Sequence, residues 1–238
     1  MRSRNFALAA ALALGVTSLT ATSSAEPAPT CFGHSVTVMG TAGPDTLIGS
    51  GDVSEVIYGG GGNDLIVGGE FYEGGSATDL LCGGPGDDDV LGSPGADRLS
   101  GGEGNDYVDG GNGADVEHGN GGDDRLGAGS FADADAANDV MRGGSGNDTL
   151  VGGWGMDQMY GEAGVDTLQD LECDGPTLLN GGGGNDYLES WSSSFEGYGA
   201  NVCSTVADRV VGGDGVDTAV VDILDAVSTT ENVTLKTP

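Results

Sequence analysis

Basic side chains are nearly missing from this sequence. Among its 238 residues seven are Lys or Arg and 38 are Asp or Glu, a formal net charge of −31. So acidic a surface repels phosphate backbones and anionic headgroups, which excludes nucleic acid and acidic membrane as partners. Histidine occurs only as His34 and His118. Each reads as a solvated or structural residue rather than a catalytic one. There is no G-x-S-x-G elbow and no H-E-x-x-H helix, so the familiar hydrolase constellations are absent. Long apolar runs are lacking too: the stretch from Phe6 to Val16 is too short to span a bilayer, and no later stretch approaches the needed length. Proline is scarce, 7 residues, and the 48 glycines follow no triplet period, which excludes collagen.

What the chain has instead is a period of nine. Residues 83–127 read GGPGDDDVL, GSPGADRLS, GGEGNDYVD, GGNGADVEH and GNGGDDRLG, with nothing inserted between units. The first and fourth positions are Gly and the sixth is Asp. The eighth is Val90, Leu99, Val108 or Leu126, with Glu117 the exception. An acidic composition of this kind often marks disorder. Here, however, the acids recur at fixed phase.

Nine residues are too many for a helix face and too regular for a loop, so each unit reads as one turn plus one short strand. Glycine, with Asn or Asp at the fifth position, supplies the turn, because these residues tolerate positive φ. The last three residues form the strand. Side chains alternate along it, so the eighth residue points inward while the seventh and ninth face water. Two units make one coil, and coils stacked at about 4.8 Å give an all-β, parallel β-roll. The turns of alternate units then lie over one another, bringing Asp88 near Asp106, Asp97 near Asp115, and Asp106 near Asp124.

Two carboxylates about 5 Å apart repel by roughly 0.8 kcal/mol in water and about 3 kcal/mol at an effective dielectric of 20. A column of them needs counter-charge. Carboxylates and turn carbonyls are hard, adaptable oxygen donors that suit Ca²⁺; Mg²⁺ demands a tighter octahedron, and Zn²⁺ prefers nitrogen or sulfur. One apolar side chain per nine residues is a thin core for so much ordered backbone. The roll is therefore expected to be largely disordered without calcium.

These units match the pattern GGxGxDxUx, with U a large apolar residue, so the chain resembles the hemolysin-type (RTX) calcium-binding repeat family. The resemblance implies that the first six residues of each unit hold Ca²⁺ between stacked turns and that the last three form the strand. Residues 1–25, with Arg2 and Arg4 before the apolar run and Ser23-Ser24-Ala25 after it, read as a secretory signal. Its removal takes two arginines and no acid, moving the net charge from −31 to −33. Residues 26–39 read as a linker and a first strand, Ser35 to Met39, that caps the roll. The roll itself spans 40–220, with insertions near 68–73, 128–133, 170–180 and 190–202. The glycine-free tail 221–238 reads as closing strands.

The expected metal ligands are Asp45, Asp64, Asp79, Asp88, Asp97, Asp106, Asp115, Asp124, Asp139, Asp148, Asp157, Asp166, Asp186, Asp208 and Asp217, with Glu55 replacing Asp in one lengthened unit. Four cysteines in an exported chain argue for two disulfides, and three connectivities are open. Cys31 lies in the cap and Cys82 on an outward strand position, while Cys173 and Cys203 lie in irregular segments. The favoured pairing is 31 with 82 and 173 with 203.

Three functions fit. The first is a secreted, extracellular, non-enzymatic calcium-binding protein with a structural or adhesive role and an unidentified protein or cell-surface partner. The second is the calcium-dependent repeat module of a secreted toxin or hydrolase system, although the repeats begin at residue 40 and occupy nearly everything. The third is an ice-binding solenoid, which needs a flat lattice of Thr. The outward seventh positions are instead as mixed as Thr46, Leu65, Asp89, Arg98 and Tyr107.

Overall fold

A computed structural model describes residues 30–69, 76–127, 137–170, 175–190, 207–221, 225–230 and 232–235. The short strands fall alternately into two ten-stranded sheets. The first sheet takes Thr46–Ile48, Leu65–Val67, Asp89–Leu91, Tyr107–Asp109, Arg125–Gly127, Thr149–Gly152, Thr167–Asp170, Tyr187–Ser190, Thr218–Val221 and Asn232–Leu235. The second takes Val38–Met39, Val56–Tyr58, Leu80–Pro85, Arg98–Glu103, Val116–Gly121, Val140–Ser145, Gln158–Ala163, Leu178–Gly183, Arg209–Asp214 and Ala226–Ser228. Neighbouring strands within each sheet are parallel and come from every second unit. The architecture is the expected parallel β-roll.

Register follows the apolar eighth position. In the first sheet Ile66, Val90, Val108, Leu126, Leu150, Leu168 and Leu188 pair in succession. In the second, Ile57, Leu81, Leu99, Glu117, Met141, Met159 and Leu179 do the same. All of these are fully buried, and the apolar ones form one continuous core. A slip of one residue would turn the whole row outward, so register is strongly specified wherever the row is apolar. That is why extra residues leave it intact: Val56 pairs with Leu80 and Val116 with Val140, a step six residues longer than the uninterrupted one.

Three boundaries differ from the sequence reading. The first insertion was expected near 68–73, but Gly68 and Gly69 stand in the turn: Gly68 N–H donates to the Leu91 carbonyl and Gly69 N–H to Ser93 Oγ. Gly68 and Gly69 therefore belong to the repeat and not to the insertion. The stretch 170–180, expected to be irregular, contains the end of a repeat unit, because Leu178–Gly183 is a strand and Leu179 lies in the core. The missing Gly-Gly pair at its start concealed it. Finally, the N-terminal strand does not run from Ser35 to Met39. Thr30–Cys31 and His34–Ser35 form an antiparallel hairpin, and Val38–Met39 alone joins the second sheet.

The hairpin lies against the outer face of the second sheet. Cys31 is buried and bonded to Cys82, with 5.8 Å between their Cα atoms. Phe32 lies 6.1 Å from the His118 ring and 4.6 Å under the Arg98 guanidinium. The outward Arg98 and His118 of that sheet thus meet the Phe32 ring of the hairpin by cation–π and ring contact. Half of the favoured cysteine pairing is present. Cys173 and Cys203 lie outside the described residues, as do the signal-like segment and most of the 190–202 insertion.

Candidate metal centre

Each turn carries its Asp at the point where the chain passes from glycines to strand, so the stacking of coils sorts the acids into two columns. Along one edge run Asp45, Asp64, Asp88, Asp106, Asp124, Asp148, Asp166, Asp186 and Asp217. Each main-chain N–H donates to Oδ1 of the next Asp, at 2.8 to 3.0 Å. Along the other edge run Glu55, Asp79, Asp97, Asp115, Asp139 and Asp157, linked the same way at 2.7 to 2.9 Å. That edge continues through Thr177, Asp208 and Asp225. All the aspartates expected as ligands fall into one column or the other.

Sequence reasoning missed two members of the second column. Thr177 stands where the sixth-position Asp belongs, and its Oγ1 accepts the Asp157 N–H at 3.3 Å. Asp225 accepts the Asp208 N–H at 3.0 Å. The signal was there in Thr177-Leu178-Leu179 and Asp225-Ala226-Val227, which keep the D-x-U spacing without the paired glycines. A second hydrogen-bonded ladder was also missed. At the fifth position Asn63, Asp87, Asn105, Asp123 and Asn147 accept, through their side chains, the N–H of the following coil's fifth residue. The two ladders run in opposite directions, which ties each turn to both neighbours.

Inside the columns the carboxylates are left half-satisfied. Asp64, Asp88, Asp97, Asp106, Asp124, Asp148, Asp166 and Asp186 each bury an Oδ2 atom that has no hydrogen-bond partner. At the N-terminal end this is not so: Asp45 Oδ2 accepts from Thr41 N–H and Oγ1, and Glu55 Oε2 from Ser50 N–H. Ser190 Oγ likewise donates to Asp208 Oδ2 at 2.6 Å. A buried charged oxygen without a partner is costly. Burial pushes Asp97, Asp106, Asp124 and Asp166 up to about 7 and Asp148 to about 6; the main-chain hydrogen bond pulls each the other way, and neighbouring carboxylates add to the rise.

The turns place carbonyl oxygens beside these atoms. A Cβ on Gly104, whose φ is +130°, would collide with the Gly86 carbonyl oxygen of the coil before. A Cβ on Gly83 would collide with both Asp88 Oδ2 and the Gly101 carbonyl oxygen. Glycine is thus required for conformation at one position and for close approach at the other. Among the described residues no group of three or more His, Cys, Asp or Glu side chains converges as a metal cluster. Beside the column carboxylates the turns offer main-chain carbonyl oxygens. An oxygen-only set of unsatisfied carboxylate and stacked carbonyl oxygens fits Ca²⁺, which accepts variable numbers of oxygens at 2.3 to 2.6 Å.

Glu117 departs from its row. It is fully buried, its Oε1 accepts the Gly110 N–H at 2.9 Å, and its Oε2 has no hydrogen-bond partner. Burial first, then the charges of Asp139, Asp109 and Asp115, hold its carboxyl well above the usual carboxylate range.

No curated protein matches the chain. The family profile of the RTX calcium-binding nonapeptide repeat matches residues 37–53, 54–71, 73–117, 133–168 and 175–192, together more than half of the sequence. The repeats of that family bind Ca²⁺ in multiple turns. With its roll, its glycine turns and its columns of half-satisfied aspartates, the chain belongs to the RTX calcium-binding nonapeptide repeat family.

Proposed function

We propose that this calcium-binding repeat protein works outside the cell as a non-enzymatic structural or adhesive element, and that its two aspartate columns are the ion ligands. The observation that carries the reading is the run of buried Oδ2 atoms without protein partners, each beside a glycine turn and its stacked carbonyls. Bound calcium supplies positive charge to both columns. The chain's own residues do the rest: Oδ1 locks each turn to the previous coil, Oδ2 faces the ion, and glycine keeps the space open. Extracellular calcium modules bind at roughly 10⁻⁴ to 10⁻³ M. Each occupied site then adds stability by mass action, and stacking couples one site to the next.

Support for export comes from the signal-like first 25 residues and the cysteines, two of which form a disulfide. Support for a non-catalytic role comes from the columns, which take up most of the buried acids among the described residues. Far-ultraviolet circular dichroism of the chelated chain, followed through a calcium titration, tests the reading. Sheet signal should rise cooperatively in the sub-millimolar to millimolar range. A chelated chain as sheet-rich as the loaded one would refute it.

A further inference from the structure

Glu117 occupies a place built for a hydrocarbon. Leu99 precedes it and Met141 follows it in register, and both are fully buried. The charges that act on it most are those of Asp139, Asp109 and Asp115, all negative. The arginines of the two adjoining strands offer no relief: Arg98 stacks on Phe32, and Arg142 stacks on Tyr160 while pairing with Glu162, all on the outer face. A lone buried carboxylate destabilises a fold, and a packed apolar residue in its place is ordinarily the better choice.

The geometry gives this carboxylate a use. Its Oε1 is held by the Gly110 N–H, and its Oε2 is buried without a protein partner. Gly110 is also the glycine against which Asp115 Oδ2 lies, so closely that a Cβ there would overlap it. Two carboxylates thus meet one turn, Asp115 from the turn edge and Glu117 from the core. We propose that Glu117 is a calcium ligand that reaches the Gly110 turn from inside the roll and forms, with Asp115 and turn carbonyls, a site carrying one more carboxylate than its neighbours. The inference rests on the calcium reading above. A higher charge count tightens a calcium site, so this site fills early and can seed the coils on either side.

Calcium counted by equilibrium dialysis on the full chain tests it, with three variants compared with the wild type. Glu117→Gln keeps the bond to Gly110 N–H but removes the charge. Glu117→Asp keeps the charge but shortens the reach. Glu117→Met completes the apolar row. All three should bind one ion fewer, or hold one ion about tenfold more weakly, with the remaining sites unchanged. Wild-type count and affinity in folded Glu117→Gln would overturn the assignment, since a purely structural Glu117 requires only the retained hydrogen bond. Retention in Glu117→Asp alone would likewise overturn it, by showing that charge rather than ligation matters. Should Glu117→Gln not fold at any calcium level, Glu117→Met decides on the same readout. A wild type that binds no calcium refutes the broader reading instead, so the two failures are distinct.

Discussion

The main-chain N–H of Asp157 meets the hydroxyl of Thr177 at 3.3 Å, whereas on the preceding rung the Asp139 N–H meets an Asp157 carboxylate oxygen at 2.9 Å. A hydroxyl accepts that hydrogen bond but brings no negative charge. The second column is therefore broken at this coil, while the first carries an Asp on every coil from Asp45 to Asp217.

Two classes of site should follow from that break. Thr177→Asp is expected to add one bound ion and to lower the calcium midpoint of folding. Calorimetric titration of the variant beside the wild type checks it. An unchanged count would mean that Thr177 and the turn carbonyls already hold an ion there.

Acid and calcium should act in opposite senses. Asp97, Asp106, Asp124 and Asp166 have folded values near 7 against 3.8 for the free side chain, so the metal-free fold binds more protons than the unfolded chain between those values. Their favourable contribution is complete below about pH 4 and is lost as pH rises through 7. Without calcium, sheet content should therefore increase from pH 7.5 to pH 5, as followed by circular dichroism. With calcium, protons compete for the same oxygens. Apparent affinity should fall over that range, and adding calcium at pH 5, where the metal-free fold is protonated and favoured, should release protons measurable in a pH-stat.

Gly104→Ala should be severe and Gly43→Ala mild. At Gly104 a side chain meets both an unfavourable φ and the Gly86 carbonyl, whereas a Cβ on Gly43 meets nothing within 4 Å. The first change should cost at least about 2 kcal/mol of calcium-loaded stability, and the second should lie within about 0.5 kcal/mol of wild type. Urea unfolding at saturating calcium separates them.

Opening the Cys31–Cys82 link should loosen the N-terminal end. The bond closes a loop of 51 residues, for which chain entropy gives about 4 kcal/mol. Cys31→Ser is expected to lose about 2 to 4 kcal/mol and to release Phe32 from Arg98 and His118. Hydrogen exchange would then show faster exchange in 38–58 than in the central coils.

Much of this was readable from particular residues. The spacing of Asp88, Asp97 and Asp106 announced two alternating columns, and Val90, Leu99 and Val108 announced the inward row, because turn and strand chemistry repeat together every nine residues. Glu117 was visible as the residue out of pattern, but nothing in a linear string says that its Oε1 meets the Gly110 N–H. Thr177 and Asp225 were hidden because their units lack the paired glycines. The eye follows glycine, whereas the stack follows the D-x-U spacing that sets register.

Local chemistry alone determined the unit: glycine where φ must be positive, Asp before the strand, one apolar side chain pointing inward. What required the tertiary structure was every relation between units. Which oxygen of each Asp is consumed by the next coil and where the second column breaks depend on residues 17 to 31 positions apart. Those offsets vary with the inserted residues, and only the stacked backbone, pulled into register by the buried row, brings them together.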